Sequence, residues 1–144
     1  MAGASRSGDQ SLTLLPSTTI TTAVTGQASA AVIPRQGFTS LVLQAVFTYG
    51  SGGTTAKAWV QTSFDRGTTW VDIATFAFLL ASATKISAVK SAIAVAAAYV
   101  PTDGTLADDT IKDGLLGDRL RVKYTSTGTY GTNTTLAVTA VAKA

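Results

Sequence analysis

Apolar and polar residues alternate along several short stretches of the chain, most clearly in FTSLVLQAVFTYG, residues 38–50. One face of this stretch is entirely apolar, and it consists of Leu41, Leu43, Ala45, Phe47 and Tyr49. A period of two residues is typical of a β-strand with one face in a core. The sequence therefore predicts a central strand here, and the GSGG that follows predicts a turn after it.

Similar stretches follow on both sides of this strand. TAKAWVQTS and TTWVDIATFAFLL predict two more strands, and the second is substantially apolar on both faces, with Asp72 interrupting one of them. TKISAVKSAIAVAAAYV has no helical stripe, and we interpret it as two β segments. RLRVKYTSTGTYGTNTTLAVTAVAK predicts a closing hairpin with Gly128 and Gly131 in or near its turn.

The region before residue 38 differs from the rest. Residues 1–10 are small and polar and predict a flexible terminus, whereas residues 11–37 predict an extended, Thr-rich arm or edge strands, interrupted by Pro16. Residues 38–144 then form the domain. About eight strands without a fixed repeat predict an all-β fold, a single antiparallel β-sandwich or jelly-roll-like domain with an extended N-terminal arm.

The composition restricts the chemistry available. The 144 residues include no His, Cys or Glu, only 13% are charged, and the net charge is +3. Without these groups the common proton shuttle, the thiolate nucleophile and most transition-metal ligands are missing. We therefore expect a protein that is not an enzyme and has no cofactor. We also expect no specific nucleic-acid binding, because basic residues form no dense patch.

Membrane insertion and export are not expected either. No stretch approaches the roughly 18 apolar residues of a membrane-spanning helix, and the first residues lack the apolar region of a signal peptide. The sequence predicts synthesis and folding in a cytoplasm.

SFDRGTTW, residues 63–70, fits the Asp-box pattern Ser-x-Asp-x-Gly-x-Thr-Trp. The residues that define this structural hairpin are Ser63, Asp65, Gly67, Thr69 and Trp70. The motif resembles the repeated hairpins of sialidase propellers, but it occurs once here and the chain is too short for a propeller. We interpret it as a folding element, so Asp65→Ala or Gly67→Val should destabilise the domain.

Two groups of charged residues are candidates for binding. Five acidic residues lie in a Gly-rich stretch and favour solvated turns over a calcium site, since the EF-hand spacing is absent: Asp103, Asp108, Asp109, Asp113 and Asp118. Arg119, Arg121 and Lys123 alternate with apolar residues and form a basic stripe, most simply a solvated strand face. This stripe is a possible partner contact, together with Ile20 and Val24 of the arm.

Aromatic residues gather in and after the hairpin. Trp59, Trp70, Phe76 and Phe78 are compatible with a ligand groove, but packing in the core explains them without a ligand. A core position is therefore the favoured interpretation.

Most of the chain after the arm resembles a group of small structural proteins of the virions of tailed bacteriophages and prophages. The resemblance extends from LVLQAVFTYGSGGTTAKAWVQTSFDRGTTWVDIATFAF through PTDGTLADDTIKDGLLGDRLRVKYTSTGTYGTNTTLAVTAVAK. It implies a capsid decoration, or cement, protein on the outer surface of the virion head. The implied partners are the major capsid protein and further copies of the chain in a homo-oligomer, after synthesis in the host cytoplasm.

Two alternatives stay open at this point. A head-tail junction, tail or fibre component is compatible with the same resemblance. A carbohydrate-binding module is a different class, suggested by the Asp-box and by the aromatic residues.

Overall fold

A computed structural model describes residues 9–91 and 98–144 of the chain. Within these residues the regular elements are all strands: β1 (Gln10–Thr19), β2 (Val24–Ala28), β3 (Ser40–Thr48), β4 (Ser51–Gly52), β5 (Thr55–Ser63), β6 (Val71–Phe78), β7 (Ala83–Lys90), β8 (Arg119–Thr127), β9 (Tyr130–Gly131) and β10 (Thr135–Lys143). They form two four-stranded antiparallel sheets, A with order β1-β10-β3-β7 and B with order β2-β8-β5-β6, and a small β4-β9 pair. The all-β sandwich is confirmed.

The core lies between the two sheets and follows the alternation of the sequence. Leu41, Leu43, Ala45 and Phe47 of β3 are buried, as predicted for the central strand. Phe47 stacks on Phe78 of sheet B with ring centroids 5.1 Å apart, so aromatic packing joins the two layers.

The Thr-rich segment belongs to the sandwich itself. β1 pairs with β10 at the edge of sheet A, and β2 pairs with β8 at the edge of sheet B. Strands from residues 11–37 thus form one edge of each sheet and pack with residues 38–144. The physical reason is burial, because Leu12, Leu14 and Ile20 cover the core of their own chain.

The predicted closing hairpin was wrong. β8 lies in sheet B and β10 in sheet A, so the connection around Gly128 crosses from one layer to the other. The connection from β3 to β5 crosses in the same way, and the short β4-β9 pair joins the two crossings. Glycine and asparagine at positive φ, such as Gly128 at 86° and Asn133 at 57°, reverse the chain without deciding which strands pair.

β7 confirms the first of the two β segments predicted over residues 84–100. The second falls largely on residues 92–97, which lie outside the described residues.

Candidate functional site

The Asp-box residues form the turn between β5 and β6. The Ser63 hydroxyl donates to Asp65 Oδ1 at 2.8 Å and accepts the main-chain N–H of Gly67 at 2.7 Å. Asp65 Oδ1 also accepts the Thr69 N–H at 2.7 Å. Gly67 has φ 92°, a conformation that favours glycine. The motif thus stabilises its own turn.

Trp70 closes this hairpin and connects it to sheet B. Its indole N–H donates to the Gly67 carbonyl at 3.0 Å, and the Arg121 guanidinium lies 4.3 Å from the ring centroid. The ring is only 8% exposed. Trp70 therefore serves the packing of the turn.

We expect the hairpin to make the stability of the fold depend on pH through Asp65. The Thr69 N–H, with further hydrogen bonds from Thr69 and Ser63, holds the pKa of Asp65 below its usual value. A carboxyl group whose pKa is lower in the folded state stabilises the fold fully at pH values above its pKa in the unfolded chain, about 3.9. This stabilisation is lost as the pH falls through the pKa of the folded state. We expect Asp65→Asn to remove this component of the pH dependence of thermal unfolding below about pH 4. Equal slopes for variant and wild type in that range would contradict it.

The outer face and free edge of sheet B are covered by residues 98–118. Main-chain hydrogen bonds along β6 attach this segment: Asp72 N–H to the Thr102 carbonyl at 2.8 Å, Thr75 N–H to Thr110 at 2.9 Å, and Lys112 N–H to Ile73 at 2.8 Å. The segment therefore protects the edge strand β6 as an additional strand would.

A fully buried carboxylate, Asp72, anchors this covering segment. One oxygen, Oδ2, accepts the hydroxyl of Thr102 and the main-chain N–H groups of Gly104, Thr105 and Leu106 at 2.9 to 3.1 Å. Such a loop around a carboxylate satisfies a buried charge with directed main-chain dipoles. Asp72 thus fixes the path of residues 102–106.

Gln61, also fully buried, links Asp72 to the charged residues of β8. Its amide nitrogen donates to Asp72 at 2.8 Å and to Asp103 at 2.7 Å, and its oxygen accepts Arg121 Nε at 2.7 Å. Lys123 Nζ lies 2.7 Å from Asp103. Although partial burial favours the neutral acid, the hydrogen bonds from Lys123 and Gln61 keep the pKa of Asp103 below its usual value. The result is a connected polar network under the covering segment.

Three other acidic residues of this segment also attach it to the sandwich: Asp108, Asp109 and Asp113. Asp108 pairs with Lys57 at 2.8 Å and Asp109 with Lys85 at 2.9 Å. Asp113 accepts the Lys90 N–H at 2.6 Å. In the described part of the chain no three potential metal-binding side chains come together.

The residues predicted as a partner contact have different positions. Arg121 and Lys123 point to the covered face, where Asp103 pairs with both, at 3.6 and 2.7 Å. The side chain of Arg119, on β8, lies beside Gly67 and Trp70 of the Asp-box turn. Arg119 is partly exposed. Ile20 is 2% exposed within the core, and Val24 packs against that core. The structure does not bring these five residues into one exposed surface.

The two residues that organise the covered face were missed. Asp72 interrupts an apolar strand, and Gln61 stands opposite it in the register of β5 and β6. A carboxylate inside an apolar strand was the signal in the sequence, since such a group needs partners when buried. Its partners lie about thirty residues further along the chain, so the pattern alone did not name them.

None of the protein-family models, curated proteins or solved structures compared with the chain matches it. No helix in residues 9–91 and 98–144 could cross a membrane.

Proposed function

We propose that the protein is a non-enzymatic structural component of a phage virion, a decoration protein that binds the outer surface of the head. The observation that supports this function most is the difference between the outer faces of the two sheets. Residues 98–118 cover the face of sheet B, whereas the outer face of sheet A carries no described segment of comparable extent. A sandwich with one covered and one open face suits a body that docks on one side.

The open face of sheet A is uncharged in its middle. Three cross-strand rows follow from the register, and from β10 through β3 to β7 they are Val141–Val42–Ala88, Thr139–Gln44–Ile86 and Ala137–Val46–Thr84. Ile86 is 65% exposed, and the valines are partly exposed. Removing an uncharged surface of valine, threonine and alanine from water costs little free energy, so such a surface favours contact with another protein surface.

The polar network under the covering segment supports the same proposal in another way. Asp72, Gln61 and Asp103 hold that segment on sheet B through hydrogen bonds of 2.7 to 3.1 Å. A decoration protein needs a body that keeps its shape while it joins neighbouring capsomers. Repetition over a symmetric shell then lets a modest interface in each copy suffice.

The carbohydrate-binding alternative lacks support from the two tryptophans. Trp59 and Trp70 are 6% and 8% exposed, and their indole N–H groups donate to the carbonyls of Leu106 and Gly67 at 3.0 Å. Neither ring presents the open face on which a sugar stacks.

The test is to mix the purified protein with undecorated phage heads and image the particles by electron cryomicroscopy. We expect added density at regular positions on the capsid surface, with much lower occupancy for the double variant Val42→Lys, Val141→Lys. Thr105→Lys, on the exposed surface of the covering segment, is the matched control and should bind like the wild type. Density at a single vertex or along the tail would replace the proposal with a junction or tail component, and bare heads would refute it.

A further inference from the structure

Three of the four edges of the sandwich are protected against strand addition. β1 has two register shifts and contains Pro16, and β2 is short and has a register shift between Val24 and Gln27. β6 is covered by residues 102–112. Bulges, proline and covering segments are the devices by which proteins keep sheet edges from pairing with other chains.

The edge of β7 is different because it is regular and, among the described residues, is not covered along most of its length. β7 pairs with β3 without a register shift from Ala83 to Lys90. Ser91 donates its N–H to Thr39 on the β3 side, whereas both main-chain groups of Lys90 bond on the other side, to Asp113 and Gly114. Backbone groups alternate between the two edges of an antiparallel strand.

This alternation fixes which groups of β7 point away from β3. They are the N–H and C=O groups of Thr84, Ile86 and Ala88. In residues 9–91 and 98–144 none of these groups has a main-chain hydrogen-bond partner on that side. Three consecutive outward positions therefore present a donor and an acceptor each.

A groove with both apolar and polar lining residues runs beside the same edge. Its volume is about 370 Å³, and Phe76 and Ile111 line it opposite the edge residues Ile86 and Ser87. A second recess of about 350 Å³ adjoins it and shares Lys85 and Asp109. The Ser87 hydroxyl is buried and has no hydrogen-bond partner in the described structure. An added strand would place alternate side chains in this space.

The charges at the groove are already neutralised. Lys85 points inward, a position that discourages strand addition when the charge is unpaired. Here its ammonium lies 2.9 Å from Asp109 Oδ2 and 5.2 Å from the centroid of the Phe78 ring. An occupant therefore meets no unpaired charge, and a segment without charged residues fits best.

We propose that the edge of β7 binds an extended, uncharged segment of another polypeptide by strand addition, as a fifth strand of sheet A. Its main chain pairs with Thr84, Ile86 and Ala88, and its inward side chains contact Phe76 and Ile111. The proposal does not depend on a role in a virion.

The probe is a synthetic peptide of alternating threonine and valine with blocked ends, long enough to span β7. We expect it to slow hydrogen exchange at the amides of Thr84, Ile86 and Ala88. The amides of Lys85 and Ser87 already bond to β3 and should change little. This alternating pattern distinguishes strand addition from general stabilisation. The same peptide with N-methylated outward amides should bind at least about ten-fold more weakly.

Ile86→Pro is the matching change in the protein. Proline removes an outward N–H and leaves the bonds to β3 intact, so the sandwich should stay folded. Peptide affinity should fall at least about ten-fold, whereas Ile86→Thr, which keeps the N–H, should bind within about two-fold of wild type. Should Ile86→Pro not fold, the N-methylated peptide decides alone. The proposal is overturned if the wild type binds no peptide at millimolar concentration, or if N-methylation leaves the affinity unchanged.

Discussion

Asp72→Asn is expected to lower the free energy of unfolding by about 3 kcal/mol or more. The carboxylate is fully buried, and each oxygen accepts hydrogen bonds, Oδ2 from Thr102, Gly104, Thr105 and Leu106, and Oδ1 from Gln61 and Gly104. The asparagine side chain replaces one of the two carboxylate oxygens by an NH2 group. In either position this group is a hydrogen-bond donor that faces other donors. The covering segment would then lose its anchor, because buried N–H groups without acceptors carry their full desolvation cost.

Urea unfolding and amide hydrogen exchange together test this expectation. The unfolding midpoint should fall, and the amides of Gly104, Thr105 and Leu106 should exchange faster than those of β3. Asp118→Asn makes the same chemical change at an exposed carboxylate of the same segment and should leave the midpoint nearly unchanged. Equal midpoints for the two variants would show that Asp72 does not hold the segment.

Phe47→Ala is expected to cost about 3 to 5 kcal/mol, because it removes a large side chain from the contact between the sheets. Phe47 is 1% exposed, stacks on Phe78 at 5.1 Å and meets the edge of Tyr130 at 6.3 Å. Tyr130 belongs to the β4-β9 pair, so the cavity would also loosen the two crossings between the layers.

Phe64→Ala provides the control for this change. The same atoms are removed from a side chain that is 56% exposed. The free energy of unfolding, measured with urea, should therefore fall by no more than about 0.5 kcal/mol. If Phe47→Ala and Phe64→Ala lower the free energy of unfolding by similar amounts, the packing of Phe47 between the sheets does not stabilise the fold as expected.

Asp72→Asn and Phe47→Ala test two features of the structure that differ in how well the sequence predicts them. The burial of Phe47 follows from alternation in residues 38–50, because a period of two assigns each residue to a face without knowledge of the rest of the chain. The role of Asp72 does not follow in that way. Its sequence position shows an interruption, but four of its donors belong to residues 102–106, which reach it only in the folded chain.

The basic stripe on β8 shows the same limit. Alternation correctly placed Arg119, Arg121 and Lys123 on one face of the strand, opposite Leu120 and Val122. That face was interpreted as solvated, yet Asp103 and Gln61 cover part of it. Periodicity separates the two faces of a strand, but it does not report what a distant segment places on either of them.

Local patterns were thus sufficient for the long strands β3, β5, β6, β7, β8 and β10 and for the turn residues at 63–70, because these depend on neighbouring residues and on turn chemistry. Folding in three dimensions decided which strands share a sheet. It separated β8 from β10 and assigned the Thr-rich segment to one edge of each sheet. It also placed residues 98–118 over sheet B, and within residues 9–91 and 98–144 it gave the outer edge of β7 no main-chain partner at Thr84, Ile86 and Ala88. The physical reason is that strand pairing and loop attachment depend on contacts between residues far apart in the chain, which satisfy buried hydrogen bonds and fill the core together.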